Sequence, residues 1–355
     1  MIDFAVQVLL EEISSHLDSD QGNCLLVLDE QIDVKQLLTL QPHPALTIIT
    51  NRCDQAARLV KREFNVKASD YDFSEFAAGS FSAVFHRMSK QKALVHYTIN
   101  QCAHLLSDHG ELCVTGFKNE GTKTYIDKAS KYLGGAKKIN KLAKNVYSAV
   151  ITKVSIGQPL DDSDYTTLRP AMTFTTNAVN TEFVSKPGVY GWQKVDKGST
   201  LLVEQLQQLM NTYNKPEFKV LDLGCGYGFI SVMAAQMANM NITATDNNLT
   251  AIAACQANFA AHNIAGEVIA ADVGEGIRGK YDFVLCNPPF HKGFEVNEEL
   301  TERFLSAAVK VLRPKGCALF VVNEFIPLPK KAIGVFEHCE ELATDNGFKV
   351  FRLTN

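Results

Sequence analysis

The sequence has no pair of cysteines at C-x-x-C spacing, although it holds nine cysteines in 355 residues. A zinc site or a disulfide framework needs paired spacings, so this odd, scattered set reads as reduced thiols, mostly in the core of a cytoplasmic protein. The sequence has a single tryptophan and no apolar run approaching the roughly 18 residues of a membrane span. Its opening, MIDFAVQVLLEEISSHL, sets two acids after a short apolar stretch and has no basic segment, which argues against export and against membrane insertion. Excess positive charge is missing as well. Thirty-five Lys and Arg against 39 Asp and Glu leave a net charge of −4, which excludes a globally basic nucleic-acid coat. What remains, 46% apolar and 21% charged residues, is the composition of a folded globular chain. At roughly 150 residues per domain, its length predicts two domains.

From about Lys219 onward, short β-branched runs alternate with longer amphipathic stretches: FKVLDL, GFISVMAAQMA, NITATD, LTAIAACQANFAAHN, GEVIAAD, YDFVLCN, LTERFLSAAVKVL and GCALFVVN. Such alternation predicts a parallel sheet covered on both faces. At the end, FEHCEELAT and FKVFRLT flank Asp345-Asn346-Gly347, where Asn-Gly supplies the positive φ angles of a tight hairpin, so the last strand is expected to run antiparallel. The amino-terminal third repeats this layout faintly: NCLLVLDEQ, ALTIITN, FSAVFHRMSK, LLSDHGELCVTGF and KLAKNVYSAVIT follow in the same order. We read this as duplication of one α/β domain, with two independent doubly wound domains as the alternative. The expected organisation is a first domain at 1–153, a linker with its own hairpin at 154–197, and a second domain at 198–355. The hairpin is expected around Asn177 to Asn180, on the edge of the second domain.

Three glycines, Gly224, Gly226 and Gly228, follow the first strand of the second domain in VLDLGCGYG. Glycine belongs where backbone turns sharply and a ligand approaches without a Cβ in the way. A dinucleotide fingerprint would place its third glycine at position 229, but that residue is Phe229, and no Gly-Lys-Ser/Thr follows to make a P-loop. Asp246 closes the second strand about 20 residues later, placed to accept from both ribose hydroxyls, and Asp272 follows the third strand, placed to meet an adenine amino group. After the fourth strand stands Asn287-Pro288-Pro289-Phe290. Successive prolines build a rigid extended platform, which aims the Asn287 carboxamide and the Pro288 carbonyl at one planar amino group while Phe290 offers a stacking face.

VLDLGCGYG, ITATD and NPPF, in this order on these strands, resemble the class I S-adenosylmethionine-dependent methyltransferases that modify exocyclic or amide nitrogens. The sequence is most similar to the ribosomal RNA guanine-N2 methyltransferases, small-subunit enzyme C and large-subunit enzyme G, and the similarity extends over KPGVYGWQKVDKGS, NPPFHKG and FVVNEFIPLP. The resemblance implies two tandem Rossmann-like methyltransferase domains, each a mainly parallel seven-stranded sheet with an antiparallel last strand, the amino-terminal copy degenerate. It implies S-adenosylmethionine as the cofactor, without a metal. Asp222, Gly224, Cys225, Gly226 and Gly228 would hold the methionine part, Asp246 with Asn247 the ribose, and Asp272 the adenine. Asn287 and Pro288 would grip the target amine and Phe290 would stack on its base. The first copy departs from this pattern, with Leu28-Asp29-Glu30-Gln31 in place of the glycines and His86-Arg87-Met88 in place of the platform.

The implied activity is methyl transfer to the 2-amino group of a guanine in 16S ribosomal RNA. Large-subunit guanine, protein glutamine and adenine-N6 are alternative targets, and a non-catalytic RNA-binding scaffold stands outside the enzymes. The implied partner is ribosomal RNA or a ribosomal subunit, met by a cytoplasmic monomer. Nine lysines at 118, 123, 128, 131, 137, 138, 141, 144 and 153 face only Glu120 and Asp127 in the same stretch, which reads as a phosphate-facing surface or as a solvated helix face. His291, Lys292, Lys194 and Lys197 would add backbone contacts. Trp192 packs the hairpin or meets RNA, and the sequence leaves both open.

Overall fold

β-Branched and leucine-rich segments of both halves form strands whose alternate side chains point to opposite faces, and this period of two builds two apolar layers per sheet. In the second half, Val220, Phe283, Leu285, Cys317, Leu319 and Val321 enter one core, whereas Leu221, Val284, Cys286, Ala318, Phe320 and Val322 enter the other. In the first half, Leu25, Val27, Val84, Leu112 and Val114 face one core, and Cys24, Leu26, Leu28, Ala83, Phe85 and Cys113 the other. Each fully buried Leu, Val or Phe contributes about 1.5–3 kcal/mol. The structure is a computed structural model that describes residues 3–30, 32–176, 179–289, 291–292, 295–296 and 298–355. It divides into two units, residues 1–167 and 168–355.

In the first unit the strands are β1 (Cys24–Leu28), β2 (Leu46–Thr50), β3 (Asn65–Ala68), β4 (Phe81–Arg87), β5 (Leu106–Phe117), β6 (Lys137–Lys141) and β7 (Val146–Thr152). Their sheet order is β3-β2-β1-β4-β5-β7-β6, with β7 antiparallel to both neighbours. Helices α1 (Phe4–Asp18), α2 (Cys53–Val60), α3 (Lys92–Leu105) and α4 (Thr122–Leu133) cover it. The Asp3 side chain caps α1 by accepting from the Ala5 and Val6 amides.

The second unit opens with an antiparallel hairpin of β8 (Arg169–Thr176) and β9 (Val179–Ser185). Then come β10 (Phe218–Leu223), β11 (Met240–Asp246), β12 (Gly266–Ala270), β13 (Tyr281–Cys286), the short pair β14 (His291–Lys292) and β15 (Glu295–Val296), β16 (Leu312–Asn323), β17 (His338–Asp345) and β18 (Phe348–Thr354). The main sheet runs β12-β11-β10-β13-β16-β18-β17, the same topology as in the first unit. As expected, β18 is antiparallel to β16, and Asn346 and Gly347 turn the final hairpin with φ values of 50° and 83°. The helices are α5 (Lys197–Met210), α6 (Phe229–Ala235), α7 (Leu249–Ala261), α8 (Glu298–Val311) and α9 (Leu328–Ala332). Among the described residues, no helix is long and apolar enough to cross a membrane.

Two details differ from the expectations. The hairpin does not extend the edge of the main sheet: β8 and β9 pair with each other as a separate two-stranded sheet. Phe183 carries it into the core against Phe229 and Tyr227, at ring separations of 5.4 and 5.8 Å. The Asn258 amide of α7 then exchanges two hydrogen bonds of 2.9 Å with the Val184 backbone. The expected linker at 154–197 also divides, residues 154–167 grouping with the first unit and 168–197 with the second. The physical reason lies in packing: Asn100 ties down the Leu160 backbone through hydrogen bonds of 2.8 Å, and Tyr165 stacks on Tyr97 at 5.0 Å.

Candidate active site

At the carboxyl end of β10 the chain passes through Gly224, Gly226 and Gly228 with φ values of 87°, 54° and 89°, a conformation that side-chain-bearing residues resist. The loop is pinned to β11. The Gly224 and Cys225 amides donate to the Thr245 carbonyl at 2.8 and 2.9 Å, and the Gly226 amide donates to Asp246 Oδ2 at 3.0 Å. A Cβ on Gly228 would lie 2.8 Å from Cys255 Sγ, so this glycine is required for packing. Among the described residues, a Cβ on Gly226 would meet nothing within 4 Å, so here bare backbone faces open space. Asp222 lies below the loop, fully buried, accepting from the Ser231 amide and hydroxyl at 3.1 and 2.6 Å. Burial pushes its carboxyl up to about 7, and among the described residues its Oδ1 has no hydrogen-bond partner. The structure therefore places Asp222 as the brace between β10 and α6, and Cys225 as a buried thiol beside Cys255 whose ionisation is strongly suppressed.

Asp246 ends β11 in partial contact with solvent, its second oxygen accepting from the Asn248 amide at 2.9 Å. Asn248 caps α7, and its Nδ2 donates to the Gly188 carbonyl at 3.1 Å. Neighbouring Asn247 donates to Asp272 Oδ1 at 3.3 Å, while Arg303 of α8 donates to Asp272 Oδ2 at 2.7 Å. Both carboxylate oxygens of Asp272 are therefore engaged by neighbouring side chains. The turn that carries it holds Val273 at φ 50°, in the left-handed region that a β-branched residue avoids.

Asn287 follows β13, which pairs with β10, so the glycine loop and the Asn-Pro-Pro platform rise from adjacent strands. Pro288 is buried and Pro289 exposed. The Asn287 Nδ2 donates to Asp196 Oδ2 and to Ser199 Oγ, each at 2.8 Å. An amide nitrogen has two protons, so both are committed and the orientation of the carboxamide is set. Phe290 lies outside the described residues, as does Gln31 of the first unit. Trp192 is half-buried and packs against the core, with the Arg169 guanidinium 5.1 Å above its ring. Sequence reasoning missed Asp196, Ser199, Asn248 and Arg303. Asp196 and Ser199 did carry a signal, an Asp three residues before the helix amide it caps, but nothing local shows that this cap reaches Asn287, 91 positions away.

The family model of the methyltransferase small domain matches residues 180–352. The ribosomal RNA small subunit methyltransferase C of Pseudomonas aeruginosa (strain UCBPP-PA14) is 30% identical over 274 residues, covering 77% of this chain and 79% of that relative. The chain belongs to the ribosomal RNA small subunit methyltransferase C family. A second member, from Serratia proteamaculans, is 36% identical over 174 residues, 49% of this chain and 48% of its own length. Among solved structures, the T. thermophilus 16S rRNA N2 methyltransferase in complex with AdoMet and guanosine has a TM-score of 0.85 at 23% identity, covering 99% of this chain and 92% of that one. That likeness establishes the fold of both units.

A methyltransferase C draws its methyl group from S-adenosylmethionine, and the residues present fit it. The bare Gly226 backbone leaves the room that a cofactor's methionine part needs, and Asp246 beside it is a carboxylate in partial contact with solvent, the kind of acceptor that a diol requires. Asp196 and Asp246 bring negative charge to this end of the sheet, which suits a cationic sulfonium, while that of Asp272 is paired with Arg303. Among the described residues, no group of three His, Cys, Asp or Glu is placed to hold a metal ion.

Proposed function

We propose that the second unit transfers a methyl group from S-adenosylmethionine to the exocyclic 2-amino group of a guanine in 16S ribosomal RNA. The observation that carries this reading is the Asn287 amide: with both its protons held by Asp196 and Ser199, its Oδ1 is left as an acceptor. A guanine amino group brings two protons and a lone pair delocalised into the ring. Asn287 Oδ1 accepts one proton and the Pro288 carbonyl the other, which favours a pyramidal nitrogen with its lone pair aimed for attack. When bound, S-adenosylmethionine supplies an electrophilic methyl group. Gly224, Gly226 and Gly228 bring backbone against it, while Asp246 with Asn247 binds the ribose and Asp272, steadied by Arg303, the adenine. Asp222 and Cys225 act from beneath the loop by holding its shape. Catalysis needs no nucleophilic side chain, because the nitrogen becomes cationic on methylation and then loses its proton readily to water.

The guanine must leave its stack to enter such a site. Two aromatic side chains stand exposed on loops of this unit, Tyr190 at 80% and Phe325 at 61%, and they offer stacking faces to neighbouring bases. On this reading the first unit is an RNA platform and fold support, and the enzyme is a cytoplasmic monomer acting on ribosomal RNA or on the assembled subunit.

The test is transfer from S-adenosylmethionine carrying a labelled methyl group to purified 30S and 50S subunits and their protein-free RNAs, followed by nucleoside analysis. Label in N2-methylguanosine of 16S RNA is expected. Label confined to 23S RNA, to adenine or to protein glutamine would overturn the assignment.

A further inference from the structure

Asp196 caps α5 by accepting from the Ser199 amide at 2.8 Å, and its backbone carbonyl receives the Thr200 amide at 3.1 Å. A helix cap needs no more than that. Yet the Oδ2 atom that takes the Ser199 amide also takes Asn287 Nδ2, 2.8 Å away, and the Ser199 hydroxyl takes the other Asn287 proton. The turn is shaped for this reach. A Cβ on Gly198 would stand 2.8 Å from the Phe348 ring and 3.1 Å from Asp196 Oδ2, so glycine here clears the ring and leaves the carboxylate uncrowded. Among the described residues the first unit shows no counterpart: Arg87, which closes β4, is held by Asp3 and Glu120 and presents no acceptor of its own.

Resting on the reading of Asn287 given above, we propose that Asp196 is a positioning residue for methyl transfer. It fixes the Asn287 carboxamide with Oδ1 toward the substrate amine and polarises it. A carboxylate accepting from the amide N–H draws the amide proton and leaves more electron density on Oδ1, since hydrogen bonds along a chain reinforce one another. That oxygen is then a stronger acceptor for an amine that turns cationic as its nitrogen bonds to the methyl carbon and the carbon–sulfur bond breaks. The proton leaves afterwards to water, so Asp196 is not required to carry it.

Two variants separate positioning from helix capping. Asp196→Ser keeps a good cap but is too short to reach Asn287, whereas Asp196→Asn keeps length and an acceptor oxygen but removes the charge. With 30S subunits as substrate, kcat is expected to fall about a hundredfold for D196S and about tenfold for D196N, the scale seen when a positioned polar contact is lost or loses its charge. The Kd for S-adenosylmethionine by calorimetry and the thermal midpoint are expected to stay near those of the parent. If D196S keeps kcat within twofold while Asn287→Ala is inactive, the proposal is overturned and the reading of Asn287 stands. If Asn287→Ala is itself fully active, the reading beneath the proposal fails. Should D196S not fold, D196N decides: a kcat within twofold of the parent overturns the polarising role, and a tenfold loss with unchanged Kd supports it.

Discussion

The two units share one strand order, yet the ends of their central strands have opposite fates. In the second unit β10 runs into three positive-φ glycines and open space, and β13 into an asparagine with an oriented acceptor. In the first unit the corresponding ends are sealed. The hydroxyl of fully buried Tyr71 donates to the Leu28 carbonyl at the end of β1, and Gln55 donates to the Ile32 carbonyl just beyond it. Glu30 accepts from Gln91, and Arg87, only 3% exposed, closes β4 between Asp3 and Glu120 at 2.8 Å from each. One fold thus gives a crevice or a plug depending on whether strand ends carry bare backbone or large hydrogen-bonded side chains. Function follows the residues at those ends and not the topology.

The sharpest way to break this contrast is at the strand-end residues themselves. Asn287→Ala is expected to lower methyl transfer by about a thousandfold while S-adenosylmethionine binding persists, since a positioned polar contact to the reacting group is lost. Near-parental turnover in a folded variant would remove the basis for assigning the site to the second unit. The reciprocal change, Arg87→Ala, leaves Asp3 and Glu120 without their buried partner, and about 3 kcal/mol of stability is expected to go. Urea unfolding followed by peptide-resolved hydrogen exchange should locate that loss in the first unit, with cofactor affinity intact. A loss spread evenly over both units, or none, would contradict the plug.

The two units are also expected to respond oppositely to pH. Burial lowers the His86 imidazole to about 4, below its ordinary 6.5, so its contribution to the first unit is complete above pH 6.5 and is lost as pH falls toward 4. Burial raises the Asp222 carboxyl from 3.8 to about 7, so the second unit is favoured below pH 4 and loses that stability as pH rises through 7. Between pH 5 and 8 the thermal midpoint of the second unit is expected to fall by about 5 °C from this group, at roughly 2–4 °C per kcal/mol. Asp222→Asn, which retains an acceptor for Ser231, should flatten the fall. An unchanged slope in calorimetry would show that Asp222 is not the group responsible.

Much of this contrast was legible in the sequence because it is local. Alternate glycines, acids at strand ends and two successive prolines dictate backbone shape within a few residues, and the alternation of strands and helices in a parallel sheet followed from hydrophobic periodicity, whereas the seven-stranded layout came from the family resemblance. What escaped notice depends on tertiary neighbours. Nothing near Asp222 distinguishes a brace under the loop from a ligand contact; its partner Ser231 only becomes adjacent once α6 forms. Arg303 reaches Asp272 from another element, 31 positions away. The hairpin was visible as alternation, but its seat on α7 rests on Asn258, 74 residues downstream. In sequence the lysine run reads as a phosphate-facing surface or as a solvated helix face, whereas several members have partners: Lys137 pairs with Asp127, Lys144 lies 5.3 Å over the Phe4 ring, Lys128 contacts His96, and Lys153 donates to the Leu106 carbonyl.

That last finding narrows the smallest of the expected effects. Lys138 and Lys141 lie exposed on β6, and Lys118, Lys123 and Lys131 lie exposed on and before α4. If the first unit is the RNA platform, phosphates should meet these five more than Lys137, whose ammonium already sits on a carboxylate. Charge reversal of Lys138 and Lys141 together is expected to weaken RNA binding about tenfold near physiological salt. It should also lower the slope of log K against log salt by roughly two, because each lost phosphate contact removes about one released counterion. Lys137→Glu alone, which trades an internal pair for a like-charge clash with Asp127, should change RNA affinity less than either exposed lysine. Filter binding of 16S RNA across a salt series measures all three quantities. A parental slope for the double variant would take the platform away from the first unit and leave RNA recognition to the unit that holds Asn287.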